Sequence, residues 1–261
     1  MKIYLSWIKT LKHYCPNEKV NHWLVAFPEL DKEFDISNID DIFLDSWGYS
    51  IRNSWLKLDV KDYVWFLQKH WKKFDVIANM DTWSKEETLA NQRLLEQETW
   101  LTILPVYHAS DFVVKDFALL EEYCEKYDYV WIGWVSWFHW SQETKEKYIN
   151  FCFKIAMKHK TKLHGFWITV ARFLKTYPFY SVDSTSWLAW WKYARICQYE
   201  NWRLVVKDAK QCRKEWLEIF WPWLAWKRLK LGYEAWIKYW DFLDQYWKLR
   251  WMEYRNERKN Q

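Results

Sequence analysis

Asp41-Ile42-Phe43-Leu44-Asp45-Ser46-Trp47-Gly48-Tyr49 reads as a short buried strand that breaks off in an acid, a hydroxyl and a turn. A brief apolar run bounded by turn residues suits a strand covered on both faces. The stretch after it, Asp59–His70, is amphipathic and long enough to cross back over a sheet. The same unit recurs along the chain. Lys2–Leu5, Phe74–Ala78, Thr102–Tyr107, Tyr129–Gly133, Lys162–Phe166 and Phe179–Val182 read as further strands, with helices over Lys85–Gln97, Asp116–Lys126 and Gln142–His159. Seven strands alternating with crossover helices predict an α/β protein, and repetition close to eightfold favours a TIM-type (β/α)8 barrel over an open sheet. An eighth strand could come from Tyr193–Tyr199 or from part of the first 30 residues.

Glycine is scarce and tryptophan abundant: 4 Gly against 25 Trp in 261 residues, where ordinary usage gives roughly 18 glycines. The tryptophans stand where glycine belongs. Asn201-Trp202 lies between two apolar runs, where Asn-Gly would make a two-residue hairpin turn with positive φ. Trp47, Trp131, Trp134 and Trp167, with Trp221 and Trp223 beside Pro222, read as bulky residues at strand ends and in turns that favour a residue without Cβ, and Trp137, Trp190 and Trp191 are read as glycine with the strand-end set. Some bacterial lineages and their phages read the codon UGA as glycine where another translation table reads tryptophan. Decoding such a gene with the wrong table gives this composition. Trp187, Trp216, Trp236, Trp240 and Trp247, set among apolar neighbours, read as authentic.

Composition bounds the rest. At 32.8 kDa the chain fits one domain, a barrel over about 1–209 followed by basic helices over about 210–261. No run approaches the roughly 20 apolar residues of a membrane span, and Met1-Lys2-Ile3-Tyr4-Leu5-Ser6 does not resemble a signal peptide. A soluble protein of the bacterial cytoplasm, without membrane partners, is expected. Five dispersed cysteines read as reduced thiols rather than a disulfide framework or a zinc site. The net charge of +5 is concentrated late, because residues 201–261 carry 14 Lys+Arg against 8 Asp+Glu. A basic end of this kind suits a phosphate backbone.

Polar residues gather at the strand ends: Asp45-Ser46, Asp81, His108, His164-Gly165 and Asp183. In a barrel those ends converge on one mouth, which makes an active site the better reading. With glycine at 47, Asp45-Ser46-Trp47-Gly48-Tyr49 resembles the Asp-Ser-Gly-Gly-Tyr/Phe motif of the tRNA-guanine transglycosylase (queuine tRNA-ribosyltransferase) superfamily. Ile132-Gly133-Trp134 then resembles its Ile-Gly-Gly, His164-Gly165-Phe166-Trp167 its apolar-Gly-Val-Gly segment, and Tyr180-Ser181-Val182-Asp183-Ser184 the strand carrying its nucleophilic aspartate. The four motifs occur in family order over residues 40–190. Three departures matter. Only Cys197 and Cys212 follow Asp183, with no histidine, so neither the family's zinc subdomain nor any metal or other cofactor is expected. The chain is short, and His108 stands where the tRNA enzymes have a base-contacting glutamine. The closest resemblance is to compact phage-type relatives that place 7-deazaguanine bases in DNA.

The resemblance implies base exchange in nucleic acid. Asp183 would attack C1′ as nucleophile and Asp45 would take the N9 proton of the incoming base. Asp81 would accept from the base N1–H and 2-amino edge, Tyr49 and His164 would flank its two faces, and Gly165 would line the pocket beside them. Ser46 and His108 would add polar contacts, and the N–H groups of Gly133 and Trp134 (read as glycine) would hold its carbonyl oxygen. DNA is the favoured partner; alternatives are the same reaction on tRNA, an inactive nucleic-acid-binding barrel, and a carbohydrate binder with aromatic platforms. A homodimer or a partner subunit could supply further nucleic-acid contacts.

Overall fold

A computed structural model of the protein describes residues 1–30, 36, 38–46, 59–82, 84–133, 140–188, 195–214 and 225–259. In chain order its parallel strands are β1 (Lys2–Ser6), β2 (Val20–Ala26), β3 (Ile39–Asp45), β4 (Val76–Ile77), β5 (Val106–His108), β6 (Tyr129–Gly133), β7 (Lys162–Gly165) and β8 (Ser181–Ser184). An antiparallel pair follows, β9 (Arg195–Glu200) and β10 (Arg203–Asp208). The fold is α/β. No helix among the described residues is long and apolar enough to cross a membrane.

The chain divides into two compact units, one of Lys19–Ile168 and one of Met1–Glu18 with Thr169–Gln261. In the first unit β2 to β7 pair in parallel in sequence order. Between β4 and β5 the ladder narrows to one parallel bridge, Ala78 to Leu104, where the Leu104 N–H donates to Ile77 O and the Asn79 N–H to Leu104 O. The crossover helices, named in chain order after the short α1 (Ile8–Tyr14) of the other unit, are α2 (Val60–His70), α3 (Lys85–Thr99), α4 (Ala109–Val113), α5 (Phe117–Lys126) and α6 (Gln142–His159). Their starts are written locally. Asp59 accepts from the Lys61 N–H, Ser84 from Glu87 and Ser141 from Thr144, satisfying backbone donors that a helix leaves open.

The eighth parallel strand comes from the first 30 residues, as β2. Its polar Asn21-His22 interrupts the apolar run that marks the other strands; His22 faces Asp41 across the β2–β3 ladder at 3.4 Å. Of the other candidate, Tyr193–Tyr199, the described residues from Arg195 on belong to the β9–β10 hairpin.

In the second unit β1 pairs in parallel with β8. The helices α7 (Ala171–Thr176), α8 (Ala209–Lys214) and the long α9 (Ala225–Lys259) complete it. Three tryptophans hold this unit with their N–H groups: Trp187 donates to Ser6 O (2.8 Å), Trp240 to Met1 O (2.5 Å) and Trp247 to Leu174 O (2.9 Å). Gly232 in α9 makes room for Trp187, since a Cβ at 232 would stand 2.4 Å from the Trp187 carbonyl oxygen.

Four other tryptophans are of a different kind. Trp7, Trp100, Trp167 and Trp202 all have positive φ (64°, 59°, 54° and 63°), whereas no described glycine does. The left-handed region crowds a Cβ against the backbone and costs an L-residue about 1 kcal/mol or more. Asn201 (φ 46°) and Trp202 form the two-residue turn between Glu200 and Arg203, with the positive φ at both positions that a type I′ hairpin turn requires. Trp100 is the left-handed C-cap of α3, its N–H on Glu96 O and its side chain 93% exposed. Glycine ordinarily takes that place. Trp100→Gly and Trp202→Gly are each expected to raise the unfolding free energy by about 1 kcal/mol, whereas Trp187→Gly lowers it by about 3–5 kcal/mol. Urea midpoints distinguish these cases; a lower midpoint for Trp100→Gly would count against the strain argument.

Candidate active site

In the Lys19–Ile168 unit five consecutive strands bring chemical groups to their C-terminal ends. Asp45 is the last residue of β3 and is buried, as is Ser46 beside it. The Ser46 hydroxyl donates to Asn79 O at 2.9 Å, which ties the end of β3 to the segment after β4. That segment is held from two sides. Asn79 donates its side-chain N–H to Thr88 O and Asn91 donates to Met80 O, each at 2.9 Å. Tyr63 donates to Ala78 O at 3.1 Å. Burial, and then the nearby Asp45 carboxylate, hold the Tyr63 phenol well above its ordinary range, so it remains a donor.

Asp81, fixed by this framework, meets His108 at the end of β5. Their side chains approach to 2.8 Å, Asp81 Oδ2 to His108 Nε2, and both are buried. An ionised carboxylate only accepts, so the proton of this bond belongs to His108 Nε2. The His108 backbone N–H donates to Asp111 Oδ2 at 2.9 Å, in the manner of a capping box at the start of α4. Burial raises the Asp111 carboxyl above its usual range, and the bond from His108 N–H opposes that.

Gly133 ends β6, and His164-Gly165 ends β7. His164 is fully buried, its ring 4.7 Å from Phe43 and 5.6 Å from Trp131 between centroids. Tyr129 Oη lies 3.5 Å from His164 Nδ1.

The structure thus brings Asp81 to His108, and His164 to the strand carrying Gly133. Tyr49 and Trp134 lie outside the described residues, as do Trp47, Trp137, Trp190, Trp191, Trp221 and Trp223. Asp183 belongs to the other unit, where it is fully buried within β8 opposite Tyr4 of β1. It sits inside the strand rather than after it, because β8 starts two residues later than the apolar run Phe179–Val182 suggests. Sequence reasoning missed Asn79, Asn91 and Asp111. Only Asp111 had a signal: an acid three residues beyond His108, the spacing of a capping box.

Comparison with protein-family models, with curated proteins and with solved structures finds no match to this chain.

Proposed function

We propose that the working protein is a base-exchange glycosyltransferase, built on a closed (β/α)8 barrel, that replaces guanine in DNA with a 7-deazaguanine. The observation that carries this reading is the buried Asp81–His108 pair at 2.8 Å, flanked at neighbouring strand ends by Asp45, Gly133 and His164. A carboxylate held in this way suits the paired N–H donors of a guanine edge. The tRNA reaction is the runner-up, disfavoured by the want of zinc-binding sequence after Asp183. The bonds balance simply. Asp183 forms an ester to C1′ as the C1′–N9 bond breaks, and the electron pair leaves with guanine, whose N9 takes a proton from water. Asp45 then removes the N9 proton of the incoming base, which attacks C1′ and releases Asp183. The target nucleotide leaves its stack to reach such a site, and the basic residues of α8 and α9 track the phosphates. The reading includes glycine at the suspect tryptophans, to which the positive φ of Trp7 and Trp100 adds two further positions.

Labelled guanine offered with duplex DNA and with tRNA tests the substrate: incorporation into DNA alone supports the reading, incorporation into tRNA alone reverses the preference, and neither removes the activity. Within this reading His108 is a positioning residue for Asp81. His108→Ala is expected to reduce exchange by about 10–100-fold, the worth of one hydrogen bond to a charged group. It should narrow the preference for guanine over hypoxanthine, which lacks the 2-amino group. His108→Gln, which keeps a donor near the Nε2 position, should recover most of both. Unchanged base preference in His108→Ala would place His108 in packing alone.

A further inference from the structure

Trp131 differs from the tryptophans that hold the fold. It lies in the middle of β6, not at the strand end or turn its sequence context suggested; it is 2% exposed, and its indole N–H is buried without a hydrogen-bond partner. Buried indoles ordinarily find an acceptor, as Trp187, Trp240 and Trp247 do; Trp23 and Trp236 share the unpartnered N–H, so what marks Trp131 is the packing around its ring. The Trp131 ring is enclosed by other rings, with centroids 4.4 Å from Phe166, 5.6 Å from His164 and 5.8 Å from Phe43. Gly133, two residues on and therefore on the same face of the strand, closes the space from above. A Cβ at 133 would stand 3.0 Å from Trp131 Nε1 and 3.4 Å from Phe166 Cβ. The indole therefore fills a chamber walled by aromatic rings and bordered by backbone that lacks a side chain.

We propose that this chamber is the base compartment of the working protein and that Trp131 plugs it. With glycine at 131 the vacated space has the shape of a fused five- and six-membered ring system, the framework shared by indole, guanine and 7-deazaguanine. Phe43, Phe166 and His164 then contact the base through stacked or edge contacts, and Gly133 lets its rim approach the backbone. An apolar void of this kind left by a deleted side chain stays open to a ligand of matching shape. The choice of ligand rests on the base-exchange reading; the plug itself rests only on the packing of Trp131.

The test is Trp131→Gly in a background of Trp100→Gly and Trp202→Gly, which offsets part of the lost packing, with Trp131→Ala as a second variant should the first not fold. Titration with 7-deazaguanine, guanine and indole, followed by calorimetry, reads the chamber directly. The expected result is binding of 7-deazaguanine to either variant at least about ten-fold tighter than to the background protein, weakened about ten-fold by a further Phe43→Ala. Binding of indole without either base, or equal binding by the background protein, overturns the proposal. Those results leave the base-exchange reading to be judged separately, through the Asp183 adduct.

Discussion

In protein carrying glycine at the suspect positions, Asp183→Asn is expected to abolish the proposed exchange of labelled guanine, a loss on the order of 10⁴-fold or more, as for other covalent nucleophiles. Asparagine keeps the size of the side chain but cannot form the ester to C1′. The burial of Asp183 within β8, beside Tyr4, gives a carboxylate shielded from water, in which an ester would survive until the second base arrives. Asp45→Asn should leave the first half-reaction running: an adduct between protein and nucleic acid accumulates, while turnover falls about 10²–10⁴-fold with loss of a general base. Denaturing gels with end-labelled DNA separate the two variants. An Asp183→Asn protein that still forms the adduct would assign the nucleophile elsewhere, and absence of an adduct in the parent and in Asp45→Asn would remove the covalent mechanism.

The chain with every tryptophan in place is expected to be inactive, and glycine at 7, 47, 100, 131, 134, 137, 167, 190, 191 and 202 is expected to restore activity. Two physical effects combine. Left-handed backbone at Trp7, Trp100, Trp167 and Trp202 favours glycine by about 1 kcal/mol or more at each position, so these four changes act on stability. Trp131 acts on space, since its ring occupies volume between Phe43, Phe166 and His164. Guanine exchange and thermal unfolding should therefore separate. The exposed-turn changes are expected to raise the melting temperature of the chain, and the change at 131 to govern whether the proposed base is bound. Full activity in the unaltered chain would refute the glycine reading altogether.

Much of the fold was legible because buried parallel strands announce themselves as short apolar runs. Asp41–Leu44, Tyr129–Gly133 and Lys162–Phe166 needed no tertiary knowledge. Val20–Ala26 was harder, since its polar His22 faces Asp41 of the partner strand, and pairing across strands is invisible in a single run. The hairpin turn at Asn201-Trp202 could be read from its flanks. Trp7 and Trp100 could not, because a cap differs from a helix interior only by one φ angle, and tryptophan carries no signal of a left-handed cap. At the candidate site the polar strand ends were visible, but the pairing of Asp81 with His108 depends on a loop held by Asn79 and Asn91, through side-chain to backbone bonds that leave no pattern in the sequence. The enclosure of Trp131 was equally hidden, because Phe43, His164 and Phe166 converge on it only in the folded unit.

The most direct measurement is the identity of the residues at 100, 131, 167, 187, 202 and 247 in protein purified from the cell that naturally expresses the gene, read by peptide mass spectrometry. Glycine at 100, 131, 167 and 202 with tryptophan at 187 and 247 is the predicted result, matching left-handed turns and an open chamber on one side and hydrogen-bonded core indoles on the other. Tryptophan at all six positions would contradict it, leaving a strained chain with a filled chamber and no place for a base.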